Sequence, residues 1–170
     1  MNHIVLYEPE IPENTGNIIR TCVAMGMRLH IVEPAGFPLS LNRLRRSAVH
    51  YVDELDVEIH DDFAAFAKKH KGRYYFLTRY GKVSPDQADF TKQEENLYLI
   101  FGSESSGIPK EILSAHENRC LRIPMHKTMR SLNLANSVAV LAYEVNRQQG
   151  FPGLSPHEPD SKKGKDYLNR

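Results

Sequence analysis

Short apolar runs rich in β-branched and aromatic residues recur along the chain, alternating with segments whose apolar positions follow helical spacing. Runs at residues 4–7, 29–32, 57–60, 74–78, 97–101 and 120–123 predict six strands. Between the first two, Asn14 or Thr15 is placed to cap a helix through Ile18, Ile19, Cys22, Val23 and Met25, which Gly26 stops in a left-handed turn. Ser40 opens a basic helix through Arg46, and Asp61 or Asp62 caps another over residues 63–70. Pro109 starts a short one over residues 110–116. The last helix, residues 134–148, carries Leu134, Ala135, Val138, Ala139, Leu141, Ala142 and Val145. That apolar band is wider than one core-facing stripe needs, so the helix is either central or half of a dimer interface. Strands alternating with helices in this way predict an α/β fold with a mostly parallel sheet. Past Gly150 the period is lost and Pro, Gly, Ser and Lys take over, so residues 1–150 are expected to form a single domain and residues 151–170 a flexible or loosely docked tail.

A chain of 170 residues with 41% hydrophobic and 25% charged positions has the make-up of one folded domain rather than a disordered chain. No apolar run approaches the roughly 20 residues that cross a bilayer, and the N-terminus lacks a charged, cleavable leader pattern, so a cytoplasmic protein without membrane contact is expected. Cys22 and Cys120 are far apart with no C-x-x-C pattern, which predicts buried thiols. The eight histidines show no metal-ligand spacing, and no metal is expected. A formal net charge of +1 gives no global sign of a nucleic-acid partner, so an RNA site has to be a local patch. Such patches are available at Arg43, Arg45 and Arg46, at Lys68, Lys69, Lys71 and Arg73, at Lys127 and Arg130, and at Lys162, Lys163 and Lys165, although a solvated face is the favoured reading of each taken singly.

Ligands of open parallel sheets gather beyond the carboxyl ends of the strands, which directs attention to three loops. The first runs Glu8-Pro9-Glu10-Ile11-Pro12-Glu13-Asn14-Thr15-Gly16-Asn17 and leads towards Arg20. The second is Phe101-Gly102-Ser103-Glu104-Ser105-Ser106-Gly107-Ile108-Pro109. The third runs from Ile123-Pro124-Met125 through Arg130-Ser131-Leu132-Asn133 into the last helix. The dinucleotide and Walker phosphate loops are both absent, and Glu104 stands where a nucleophile elbow needs serine. Singly, each loop has the composition of an ordinary turn.

Taken in order and spacing, the three loops resemble the signature motifs of the SPOUT methyltransferases, in the branch that methylates ribose 2′-hydroxyls. The likeness covers nearly all of residues 1–149. No additional N-terminal RNA-binding domain is expected, and the chain is similar to the minimal dimeric members that modify the wobble cytidine or modified uridine of leucine tRNAs. The resemblance implies a C-terminal trefoil knot, S-adenosyl-L-methionine as cofactor, tRNA as partner and a homodimer built through the last helix. It places Thr78, Gly102, Glu104, Ile123, Met125, Ser131 and Leu132 in the cofactor pocket. Arg20 becomes the catalytic residue, and Asn14, Arg46, Lys127 and Arg130 become substrate contacts.

The chemistry so implied, methyl transfer from a sulfonium to a hydroxyl, is an in-line displacement that requires alignment and no metal. The ribose hydroxyl is a poor nucleophile until its proton is drawn away. Arg20 is open to two readings: a base, which needs an unusually depressed pKa, or a cation that orients phosphate and stabilises developing alkoxide charge. Glu104 is expected to orient Arg20 or the loop backbone, and Asn133 and Asn136 to serve either as caps and braces or as substrate contacts. Three other functions fit parts of the pattern: methylation of another RNA such as rRNA, a knotted RNA-binding module without turnover, and an α/β dehydrogenase, the last weakened by the missing dinucleotide fingerprint.

Overall fold

The structure, a computed structural model, describes residues 1–47, 54–159 and 166–169; Lys162, Lys163 and Lys165 lie outside the described residues. Six strands form the sheet: β1 (Asn2–Tyr7), β2 (Arg28–Val32), β3 (Val57–His60), β4 (Arg73–Leu77), β5 (Leu97–Phe101) and β6 (Cys120–Leu121). The helices are α1 (Pro12–Ala24), α2 (Leu41–Ser47), α3 (Phe63–Lys69), α4 (Lys110–Ser114) and α5 (Leu134–Gln149). All strand pairs are parallel, in the order β3-β2-β1-β5-β4-β6. The chain therefore builds outward from β1 on one side and around β5 on the other. The order reverses at the β1/β5 pair, where parallel sheets open a crevice.

Alternation along the strands divides the core in two. Ile4, Leu6, Leu29, Ile31, Leu99 and Phe101 face Ile18, Ile19 and Cys22 of α1 and Val138, Leu141, Ala142 and Val145 of α5. Val5, Val32, Phe76, Tyr98 and Ile100 face Phe66 of α3 and Ile108. All five residues of β5 are buried, as a central parallel strand covered on both faces requires. Both cysteines are buried and unpaired, and burial pushes the Cys22 thiol up to about 12. No described helix is long and apolar enough to cross a membrane.

The element boundaries differ from the sequence reading in instructive ways. Helix α1 starts at Pro12, with Ile11 as its cap residue and no side-chain cap of its own, so Asn14 and Thr15 lie buried inside it rather than capping it. Proline suits the first helical position because its missing N–H has no partner there in any case. Gly26 does take the left-handed conformation, at φ 63°, just past the end of the helix. Ser40 caps α2 through the Arg43 amide, and Asp62 caps α3 through that of Ala65. Strand β4 stops one residue before Thr78, and β6 ends at Leu121, two residues short of Ile123.

One arrangement has no counterpart in the sequence spacing. His3 of β1, His30 of β2, His60 of β3 and His70, the C-cap of α3, meet on the α3 side of the sheet beside Phe66 and Tyr98. Their rings run in a chain, His3 Nδ1 to His30 Nε2 at 2.9 Å and His30 Nδ1 to His60 Nε2 at 3.0 Å. Burial lowers His3 to about 4 and His30 to about 3, and lowers His60 as well, so these imidazoles are neutral at neutral pH.

Candidate active site

Past the carboxyl ends of β1, β4 and β5, the three loops singled out by sequence close around one cavity of about 520 Å³. That volume falls inside the roughly 300–1,000 Å³ of small-molecule sites. Thr78, Gly102, Glu104, Ile123, Met125, Ser131 and Leu132 all line it, together with Asn14 and Arg130. Arg20, Arg46 and Lys127 do not: all three are exposed, and Arg46 turns back to the Asn42 carbonyl. Two other hollows, of about 630 and 580 Å³, lie beside Arg73 and Arg119 and along the outer face of α5; neither gathers these loops.

The wall is mostly backbone and small side chains, and close chain approach explains why. At Gly102 a Cβ would come within 2.3 Å of the Gly107 carbonyl carbon, so any larger residue collides with main chain. The loop folds back on itself there: the Gly107 amide donates to the Ser103 carbonyl at 3.0 Å, and the Ser103 and Ser106 hydroxyls are 2.7 Å apart. At the far wall the Thr78 amide donates to the Leu121 carbonyl at 2.9 Å, and the Thr78 hydroxyl accepts from the Tyr80 amide.

A polar relay ties the three loops together. Glu104 accepts from the amides of Glu10 (2.8 Å) and Ile11 (3.1 Å) and from the Asn14 side-chain amide (3.2 Å). Asn133 in turn donates to the Asn14 side-chain oxygen at 3.0 Å. With its own oxygen Asn133 caps α5, accepting from Ala135 and Asn136 at 2.9 and 3.3 Å. Glu104 thus supplies, from another loop, the negative charge at the start of α1 that Ile11 lacks. Burial raises the Glu104 pKa, but the Glu10 amide, the Asn14 side chain and the Ile11 amide outweigh it, and the carboxyl is held below its usual range.

Of the two roles left open for Glu104, bracing the loop backbone is the one the contacts realise. Asn133 is a cap and a brace. The sequence signals its capping position, immediately before an apolar run, but carries no sign of its partnership with Asn14, 119 residues away. Among the described residues, no group of three or more potential metal ligands is placed at this cavity to share an ion.

The model of the SpoU rRNA methylase family matches residues 1–143. The tRNA (cytidine(34)-2′-O)-methyltransferase of Escherichia coli K12 is 46% identical over 155 residues, 90% of this chain and 97% of the relative. A solved structure described as giving insights into the 2-OH methylation of C/U34 on tRNA superimposes with a TM-score of 0.78 at 43% identity, covering 88% of this chain and 97% of that one. An AdoMet-bound rRNA methyltransferase from Sinorhizobium meliloti has a TM-score of 0.72 at 25% identity, covering 86% of this chain and 56% of the other. The match spans the loops that enclose the cavity, and the chain belongs to the SpoU rRNA methylase family.

Proposed function

We propose that this chain is an S-adenosyl-L-methionine-dependent tRNA 2′-O-methyltransferase acting on the ribose of the wobble pyrimidine, nucleotide 34. The observation that carries the reading is the single cavity built from all three motif loops at the sheet's reversal point. Its wall would suit a small-molecule cofactor held largely by main chain, because Gly102 lets the loop fold tightly on Gly107. S-adenosyl-L-methionine supplies the methyl group as an electrophilic carbon on sulfur. Thr78, Gly102, Ile123, Met125, Ser131 and Leu132 hold it, and Glu104 keeps the three loops in register around it. Methylation at nucleotide 34, the position in the relatives' descriptions, is favoured over rRNA because the relatives matching almost end to end are tRNA enzymes. Leucine tRNAs are the substrates the resemblance implies.

The residues of this chain align the ribose and manage charge. Arg130 on the cavity wall and the exposed Arg46 and Lys127 are suited to the phosphates on either side of the target nucleotide. Arg20 acts by holding phosphate and stabilising the alkoxide as the hydroxyl proton passes to solvent water. Arg20 is off the wall of its own chain's cavity, which favours its supply by a second chain. Val140 and Tyr143, 44% and 53% exposed on α5, form the apolar seam of that homodimer. The trefoil knot is favoured by the way residues 78–83 embrace the start of the third loop. Leu121 accepts from Thr78, Arg122 donates to Val83, and a Cβ on Gly81 would lie 2.3 Å from the Leu121 carbonyl carbon. The reaction belongs in the cytoplasm with its tRNA.

An anticodon stem-loop with ribose at position 34 should accept labelled methyl, and the same oligonucleotide with 2′-deoxyribose at that one position should accept none. Equal labelling of both excludes 2′-O-methylation at this nucleotide.

A further inference from the structure

We propose that His30, Glu58, His60 and His70 form a binding site for a divalent transition metal, best suited to zinc, that pins edge strand β3 and the end of α3 to β2. One ligand atom from each lies within 4.8 Å of all the others. Recorded separations are 3.0 Å from His30 Nδ1 to His60 Nε2, 3.2 Å from His70 Nε2 to Glu58 Oε2, and 4.0 Å from His30 Nδ1 to Glu58 Oε2. Four ligands at zinc distances of about 2.0–2.1 Å in a tetrahedron stand about 3.3 Å apart. The observed separations straddle that value, so small side-chain adjustments bring the four to one centre. Three imidazoles and one carboxylate are a donor set that zinc accepts readily.

A second observation points the same way. The buried His70 Nε2 already faces Glu58 Oε2 at 3.2 Å, so one imidazole nitrogen and one carboxylate oxygen are aimed at the same point. A shared ion would take up both the nitrogen and the carboxylate oxygen at once. The surroundings resemble an outer ligand shell, in which two of the three imidazoles have their second nitrogen held in place. His30 Nε2 meets His3 Nδ1 at 2.9 Å, and His70 Nδ1 lies 3.5 Å from the Tyr98 hydroxyl.

Glu58 is already paired with Arg28, at 3.3 Å, and with Lys69, whose 64% exposed side chain is free to turn into water when an ion arrives. The hydrogen shared by His30 and His60 then moves to the second nitrogen of one ring, so both rings stay neutral and nothing is oxidised or reduced. Entry is from the sheet edge, where the Glu58 and His70 side chains keep 16% and 12% exposure. None of these four residues lines the methyl-transfer cavity, so the site is structural and separable from catalysis.

The test is zinc titration by calorimetry of the chelator-stripped full-length chain, with melting temperature followed in parallel and cobalt as a spectroscopic probe. The proposal predicts one equivalent bound, a melting temperature that rises with zinc, and the intense visible absorption of tetrahedral cobalt. His70→Ala and Glu58→Gln should lose all three signals while keeping the wild-type circular dichroism, and His157→Ala should keep them. Folded wild-type protein that takes up no zinc overturns the proposal whatever the variants do. So does uptake that His70→Ala leaves unchanged, which would assign the cluster to a purely hydrogen-bonded core.

Discussion

Glu104 stands where three donors converge, and its charge rather than its size is what they require. Glu104→Gln keeps the volume but brings an amide NH₂ against N–H groups, so a loss of about 1–3 kcal/mol in unfolding free energy is expected, read from urea melts. The pH dependence has a definite sign. Because the folded carboxyl titrates below its ordinary value of 4.5, its contribution is complete above that pH and fades as pH falls through the folded pKa. The wild-type and Gln stability curves should therefore run parallel above pH 4.5 and converge below it; a constant gap down to acid pH would mean that Glu104 is not ionised in this role. Arg20 is the opposite kind of residue, exposed and with no place on the cavity wall. Arg20→Ala should cost about 100-fold or more in kcat while S-adenosyl-L-methionine affinity, measured by calorimetry, stays within about twofold. A large loss of cofactor affinity would place Arg20 at the cofactor instead.

Among the elements, the loop after β5 tolerates least. Gly102→Ala forces a Cβ into the Gly107 main chain, so cofactor binding should be lost before the fold is, with calorimetry showing no heat while circular dichroism stays native. Wild-type affinity in that variant would show that the loop can move aside. On the opposite side of the site, Leu141→Ala in α5 opens a void against the buried face of α1 and the sheet, at a cost of about 2–5 kcal/mol in chemical denaturation. All six strands were legible because each is a short apolar run with β-branched or aromatic residues, and α3 and α5 because their caps and apolar periods agree. The start of α1 was misread because Asn14 has the chemistry of a cap but spends it on Glu104 and Asn133, partners far off in sequence. The loops were recognised as a set rather than from their composition, which is that of ordinary turns. The histidine cluster left no local trace, since His30, Glu58 and His60 meet only through the parallel register that sets His30 opposite Glu58 and Val32 opposite His60.

For the whole molecule, a net charge of +1 on a single small domain leaves little surface with which to grip an anticodon stem-loop. In the proposed dimer, two chains joined through the outer face of α5 would supply that surface and bring Arg20 of one to the cavity of the other. Mixing Arg20→Ala chains with Gly102→Val chains, each inactive alone, should restore about a quarter of wild-type activity, because half the dimers then hold one intact composite site. No recovery after verified subunit exchange would return Arg20 to its own chain. Tyr143→Asp should shift sedimentation from dimer to monomer and abolish methyl transfer, with the monomer retaining its secondary structure; an active monomer would remove the seam from the mechanism.

Incubating the purified protein with methyl-labelled S-adenosyl-L-methionine and separate pools of bacterial tRNA and rRNA, then mapping the labelled nucleotide after nuclease digestion, distinguishes wobble-ribose methylation from its alternatives. Label is expected in tRNA alone, recovered as a 2′-O-methylated pyrimidine at position 34. Label confined to rRNA, or to a base rather than a ribose, would contradict wobble-ribose methylation.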